Sequence, residues 1–271
     1  MMNTEDGAVI STELRAKAKE CGASLVGTAD VEDLKRSPSH TIYEKLDEYK
    51  GVGVVQTDDA KNREIDWPDG ARSAIVIAVE HPEERPELDW WKKGFSGGTE
   101  GNKILISIAA QLSQWMETEK GIKTWKLPYH VEKGGIFLKD AAVLGGLGCV
   151  GKNNMVVTPE YGPRVRLRAL LTNAALVSTG PQDFDPCKGC PMPCRKLCPQ
   201  GAFRKKIYAE RDMGLSQLPG RNGVYDRVQC NRQMVADRDA AVGPPVANGD
   251  SGGEGINYCR VCEFSCLVPR G

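Results

Sequence analysis

Ten of the 271 residues are cysteines, and eight of them fall into two runs. The first run is Cys187-Lys-Gly-Cys190-Pro-Met-Pro-Cys194-Arg-Lys-Leu-Cys198-Pro199. The second is a lone Cys230 followed by Cys259-Arg-Val-Cys262-Glu-Phe-Ser-Cys266. Thiolates are soft metal ligands. A [4Fe–4S] cube takes four of them, so eight cysteines suit two cubes. The competing chemistry is a pair of structural zinc sites. Four-cysteine zinc sites use paired CxxC knuckles, which a compact run ending in Cys-Pro matches poorly.

The spacing refines this reading. Two-cluster ferredoxins use C-x2-C-x2-C-x3-C-P, and the fourth cysteine of each run ligates the other cluster. Here the middle gap holds three residues, Pro191 and Pro193 among them, while the C-x3-C-P ending is intact. By the same crossing, Cys187, Cys190, Cys194 and Cys266 bind one cluster. Cys198, Cys230, Cys259 and Cys262 bind the other. Lys188, Arg195, Lys196, Arg204, Lys205 and Arg211 lie nearby in sequence. They would offset the negative charge of a thiolate-bound cube or form a docking patch for an acidic electron donor. Cys21 and Cys149 stand outside the scheme and read as packing residues.

The 36 basic and 36 acidic side chains balance overall, yet they are not evenly spread. Residues 1–132 hold 17 basic against 24 acidic, while residues 187–230 hold 9 against 3. No apolar run approaches the roughly 18 residues of a membrane span. The first ten residues, MMNTEDGAVI, lack the basic flank and apolar stretch of a signal peptide. The expected location is the cytoplasm, with no membrane partner. A reducing compartment favours metal ligation over disulfides for so many cysteines. Leu267 to Gly271 match a thrombin-cleavage sequence of the kind appended for expression and are set aside as a tag remnant.

These groups need a scaffold, and the first half reads as mixed α/β. Ser11–Glu20 reads as a helix capped by Ser11 and ended by Gly22. A second helix is expected over His40–Tyr49, stopped by Gly51. Ser73–Val79 is a buried strand by its β-branched apolar run. Over Gly101–Lys120, Ile104, Leu105, Ile108, Leu112, Trp115 and Met116 share one helical face. Strands are expected at Ile122–Leu127, Met155–Thr158 and Val165–Leu171, with a helix at Phe137–Leu144. Arg164, Arg166 and Arg168 alternate with apolar residues, so a strand would set all three on one face. That face is either solvated or a cradle for a phosphate- or carboxylate-bearing ligand. Regular periodicity fades near Gly180. The domains expected are 1–180, for cofactor and substrate, and 181–266, for the clusters.

Gly145-Gly146-Leu147-Gly148-Cys149-Val150-Gly151-Lys152-Asn153 is dense in glycine, which permits close backbone approach. The order of parts carries a resemblance. A G-L-G-x-x-G-K-N turn precedes a strand ending in Leu170-Leu171-Thr172-Asn173. The first cysteine run follows, with Pro199-Gln200-Gly201-Ala202 after it, then lone Cys230 and a final CxxCxxxC. This resembles the epoxyqueuosine reductases and, more distantly, the reductive dehalogenases, over roughly residues 70–266.

The resemblance implies an α+β protein. Its N-terminal α/β cofactor domain would be similar to flavin reductases and nitroreductases, and a ferredoxin-like double [4Fe–4S] domain would follow. It implies an iron–sulfur oxidoreductase that passes electrons through the clusters to a bound cobalamin. The donor would be of the ferredoxin or flavodoxin type. In that family an acidic residue before the glycine-rich turn gives a proton to the substrate. The position falls at Glu132, where the family more often carries Asp, with His130 as the alternative donor. If that segment is a strand, both point to one face. Gly146, Gly148, Gly151, Lys152 and Asn153 are the expected cobalamin contacts, with loop stabilisation the other role for Lys152 and Asn153. Epoxyqueuosine reductases carry helical repeats beyond the clusters that help grip tRNA. This sequence stops at the last cysteine, so a small-molecule substrate is expected in place of tRNA. The alternatives are an electron carrier or activator that reduces a partner's corrinoid without holding its own, and a zinc-stabilised binding module.

Overall fold

The protein is described from a computed structural model, which covers residues 4–45, 65, 67–92, 98–241 and 255–268. In chain order, α1 (Thr4–Glu20), β1 (Leu25–Asp30), α2 (Val31–Lys35), α3 (Pro38–Glu44) and β2 (Ser73–Glu80) come first. A short 3-10 turn (Pro86–Asp89), β3 (Trp91–Lys92), α4 (Glu100–Lys120) and β4 (Thr124–Lys126) follow. Then come a 3-10 turn at Val131–Lys133, α5 (Leu138–Leu144), β5 (Cys149–Val150), β6 (Val156–Val157) and β7 (Val165–Thr172). The cysteine-bearing segment holds α6 (Pro193–Lys196), α7 (Glu210–Met213), α8 (Arg227–Asp239), β8 (Gly255–Ile256) and α9 (Val261–Phe264).

Four strands form an antiparallel sheet in the order β1-β2-β7-β4. β2 is buried along almost its whole length because helices cover both faces of the sheet. Its alternation divides the core. Ile75, Ile77 and Val79 pack with Leu170 against α1 and α4, through Leu14, Leu105, Ile108, Leu112 and Met116. Ala74, Val76 and Ala78 pack with Ala169 and Leu171 against α2 and α5, through Val31, Leu34, Ala141 and Ala142. Fully burying one such Leu or Ile contributes about 1.5–3 kcal/mol.

The expected strand at Ser73–Val79 and the expected helices at Gly101–Lys120 and Phe137–Leu144 are present within a residue. The Thr99 hydroxyl accepts the Asn102 N–H to cap α4 at 3.1 Å. Gly121, at φ 64°, closes the helix in the left-handed conformation. The expected cap at Ser11 is not one. Helix α1 begins seven residues earlier, and the buried Ser11 hydroxyl donates to the Gly7 carbonyl at 2.7 Å. The same oxygen accepts the Val177 N–H at 3.1 Å and so fastens the chain after β7 to the helix. The second helix begins earlier than expected because Pro38 occupies its first turn. Its expected end, 46–51, lies outside the described residues. The strand expected at Ile122–Leu127 shortens to Thr124–Lys126.

Candidate iron–sulfur site

The two cysteine groups expected from spacing are drawn together as sets. Cys187, Cys190, Cys194 and Cys266 line one cavity of about 430 Å³, beside Lys152 and Asn153. Burial, then the neighbouring thiols of Cys266, Cys187 and Cys190, push the Cys194 thiol up to about 11. In the other set, burial and then Cys230, Cys259 and Cys198 raise the Cys262 thiol. Cys259 is raised by burial, with Cys230 and Cys198 adding to it. Thiols crowded in this way resist ionising together, and a cationic metal core would remove that penalty by displacing their protons.

Among the described residues, no group of three or more His, Cys, Asp or Glu side chains is set to hold a metal ion. Four thiols that border one cavity are the donor type and number that a [4Fe–4S] cube takes, so the donor set fits such a group. Backbone amides already point at sulfur. The N–H of Ala202 reaches Cys198 Sγ at 3.3 Å, that of Lys152 reaches Cys187 Sγ at 3.4 Å, and that of Met192 reaches Cys190 Sγ at 3.5 Å. Met192 adopts φ 57° to do so, a conformation uncommon for a side-chain-bearing residue. Hydrogen bonds to sulfur are among the groups that set cluster potentials.

The glycine-rich turn is the seat of this region. Gly146 has φ 70°, and a Cβ there would meet the Thr179 carbonyl oxygen at 2.3 Å. A Cβ at Gly148 would meet the Val157 carbonyl oxygen at 2.1 Å, and one at Gly151 the Val157 side chain at 2.6 Å. The glycines therefore allow this chain's own segments to approach each other. Lys152 and Asn153 extend the same role. The Lys152 carbonyl accepts from Arg195 Nε at 2.6 Å, and Asn153 Nδ2 donates to the Cys262 carbonyl at 3.3 Å. Asn154, at φ 62°, accepts the Gly220 N–H through Oδ1 at 2.9 Å. One turn thus touches both cysteine runs.

The arginine strand is also internal. Arg164 precedes β7 and donates to the Val268 carbonyl at 2.8 Å. Arg168 meets Asn102 at 3.2 Å. Arg166 bonds Asp89 at 2.8 Å and Glu263 at 3.0 Å. The expectation of a solvated face is corrected, because Arg166 joins the sheet to the final cysteine run, Arg168 joins it to α4, and Arg164 reaches the chain after that run. Arg260, between Cys259 and Cys262, pairs with Asp89 at 2.7 Å and with Glu263. His81, fully buried, places Nδ1 2.9 Å from Asp89 Oδ2, the oxygen that Arg260 also meets. Burial alone would raise Asp89, but the His81 hydrogen bond and the Arg166 and Arg260 charges outweigh it and hold the carboxyl below its ordinary range. Burial opposes the Arg166 charge, and Glu263 and Asp89 more than restore it.

The proton-donor candidates are placed differently from expectation. Glu132 sits in the 3-10 turn Val131–Lys133, not in a strand, and its side chain lies outside the described residues. His130 precedes that turn, with its ring edge-on to Tyr129 at 5.3 Å between centroids. The shared-face argument for the pair therefore lapses.

Two features were not legible in sequence. Arg221, at φ 71°, donates to the Val150 carbonyl at 2.5 Å, to Asp185 at 2.5 Å and to Cys149 Sγ at 3.1 Å. Asp185 in turn accepts the Cys187 N–H at 3.0 Å, so Arg221 braces the edge of the first cysteine set. The other is a buried polar knot. Asp140 accepts from the Ser37 hydroxyl at 2.8 Å and from Ser39 N and Oγ at 2.6 and 2.7 Å. Burial drives the adjoining His40 down to about 4, although Asp140 works the other way.

With the geometry in place, likeness to known proteins can be stated. No protein-family model matches the chain. The epoxyqueuosine reductase of Bacillus cereus is 26% identical over 97% of this chain and 65% of its own length. The chain is similar to the epoxyqueuosine reductases and the reductive dehalogenases. The tetrachloroethene reductive dehalogenase of Sulfurospirillum multivorans is 41% identical over 48% of this chain and 23% of its own length. An epoxyqueuosine reductase solved with an epoxyqueuosine-modified tRNA stem loop matches at TM-score 0.60 and 19% identity, over 97% of this chain and 66% of that one. A reductive dehalogenase structure described for B12-dependent dehalogenation matches at TM-score 0.57 and 16% identity, over 100% of this chain and 35% of that one. The structural matches establish a shared mixed helix-and-sheet fold. The chain spans between 56% and 66% of the length of three epoxyqueuosine reductases that it matches.

Proposed function

We propose that this chain is an iron–sulfur oxidoreductase in which two [4Fe–4S] clusters pass electrons to a bound cobalamin that reduces a substrate. The carrying observation is the sorting of eight cysteines into two groups of four, one of them around a cavity of about 430 Å³. Cys187, Cys190, Cys194 and Cys266 would hold one cluster, and Cys198, Cys230, Cys259 and Cys262 the other. Residues 1–180 would form a flavin-reductase-like cofactor domain and residues 181–266 a ferredoxin-like one. The corrinoid assignment rests on likeness to epoxyqueuosine reductases and to a reductive dehalogenase described as B12-dependent. Cobalamin, when bound, would supply the low-potential reductant. Glu132 or His130 would hold the proton delivered to the substrate, and Gly146, Gly148, Gly151, Lys152 and Asn153 would border the cofactor. A ferredoxin or flavodoxin would be the donor and a small molecule the substrate. Proton delivery near neutral pH requires a donor tuned toward that range.

A second reading has an observation in its favour. The five residues named for cobalamin are engaged with this chain's own backbone and cysteine runs. That arrangement suits a carrier or activator that reduces a partner's corrinoid. Purification without oxygen, incubation with cobalamin, desalting and metal counting separate the two. About eight irons per chain with one retained cobalt supports the reductase. The same iron without cobalt supports the carrier, and stoichiometric zinc in place of iron removes both.

A further inference from the structure

We infer that the face around Cys198, Cys230, Cys259 and Cys262 is a docking surface for a small, acidic, one-electron carrier protein. This rests on the two-cluster reading and names where the electrons enter. Of the eight cysteines, Cys259 is the exposed one, whereas Cys194 of the other set is buried. The second set therefore reaches the surface at Cys259.

Exposed apolar side chains lie close to that set in sequence. Leu197 immediately precedes Cys198 and is 59% exposed. Val228 lies two residues before Cys230 and is 57% exposed, and Val261, next to Cys262, is 37% exposed. Each of the four ligands thus has a large apolar side chain facing water within two positions, with Val261 serving both Cys259 and Cys262. Val235, 44% exposed, lies about two turns along the same face of α8 as Val228. Helix α8 buries none of its residues, although it is tied into this region. Its Gln233 accepts from Gln200 at 2.9 Å, and its Asp237 accepts the Cys259 N–H at 2.7 Å. An apolar centre with a polar rim is the usual anatomy of a protein interface.

The rim is basic. Lys196 and Arg232 are exposed and lie two residues from Cys198 and Cys230. Arg204, Lys205 and Lys206 extend the exposed positive charge. The nearby acids are engaged at home: Asp237 with Cys259 and Gln233, Asp239 with Arg238, and Glu263 buried with Arg166 and Arg260. Charge complementarity selects a negatively charged partner and speeds its encounter. A weak redox encounter needs only a small interface, below about 1,200 Å². The transfer is a single electron from carrier to cluster, with no bond made or broken.

The test is stopped-flow reduction of the iron-loaded holoprotein by a reduced, acidic [2Fe–2S] ferredoxin, beside reduction by dithionite. In K196E/R232E the second-order rate with ferredoxin should fall about tenfold, and its decline with added salt should flatten. Dithionite reduction and iron content should stay at wild-type levels. Val235→Ser should lower the ferredoxin rate with little change in its salt dependence. An unchanged ferredoxin rate in both variants, with iron intact, overturns the docking surface. So does a charge reversal that weakens tRNA binding while leaving the ferredoxin rate alone. A wild-type protein without iron overturns instead the cluster reading beneath it.

Discussion

Replacing Glu263 with glutamine should unseat the final cysteine run from the sheet. The Glu263 carboxylate is 4% exposed and accepts from Arg166 Nη1 at 3.3 Å, from Arg166 Nη2 at 3.0 Å, and from Arg260. Both arginines also reach Asp89, at 2.8 and 2.7 Å. Two carboxylates therefore balance two guanidiniums at a largely buried junction, where Arg166 keeps 27% of its side chain exposed. Glu263→Gln leaves two cations on one anion and turns amide hydrogens toward guanidinium hydrogens. Removing one partner of such a buried group costs about 3–5 kcal/mol, a large part of the roughly 5–15 kcal/mol that holds a protein folded. With a urea slope of about 3 kcal/mol/M, the midpoint should fall by about 1–1.7 M. The assay is urea unfolding of the iron-loaded protein without oxygen, followed by tryptophan fluorescence and by cluster absorbance. Glu87→Gln, at an exposed pair with Arg85, should leave the midpoint in place. The double variant E263Q/R166M should recover part of the loss, because it removes the surplus charge. A Glu263→Gln midpoint equal to that of Glu87→Gln would refute the claim that this network carries the junction.

Other consequences are as direct. Cys266→Ala should retain about four of eight irons, lost from the set with Cys187, Cys190 and Cys194, as read by iron assay and by EPR of the reduced protein. Full iron retention would break the crossed grouping. His40 is held neutral by burial at about 4. The unfolded chain would therefore bind a proton at about pH 6.5 that the folded one refuses. This contribution to stability is complete above about pH 6.5 and is lost as the pH falls toward 4. Denaturation midpoints between pH 4.5 and 8 should show that slope in wild type and a shallower one in His40→Gln. Gly146→Ala combines a left-handed φ with a 2.3 Å contact on the Thr179 carbonyl. It should cost at least about 1–3 kcal/mol, read as a lowered Tm, and an unshifted Tm would contradict the packing.

Several elements could be read because their determinants are local. The Ser73–Val79 run, the 3.6-residue stripe of α4 with its closing Gly121, and the cysteine spacing each lie within one short stretch of sequence. Their physics needs few distant partners. Ser11 shows the limit of that method. A serine before an apolar-periodic run has the pattern of a cap, yet its hydroxyl is satisfied inside α1 and by Val177, 166 residues away. The partners of Arg166 lie 77 and 97 residues off, so no window could decide between solvent, ligand and ion pair.

Residue types and spacing determined by themselves that eight thiols are available in two runs, because ligand number and reach are properties of the chain. They also determined the amphipathic helices and the doubly covered strand, because burial follows the periodicity of apolar side chains. Tertiary structure decided the rest. It made the glycine-rich turn the seat of both cysteine runs. It also buried the pairs of Arg166 and Arg260 with Asp89 and Glu263 at the junction. Each of these depends on which distant segments share a space, and such long-range proximity is set by how the sheet and its helices pack.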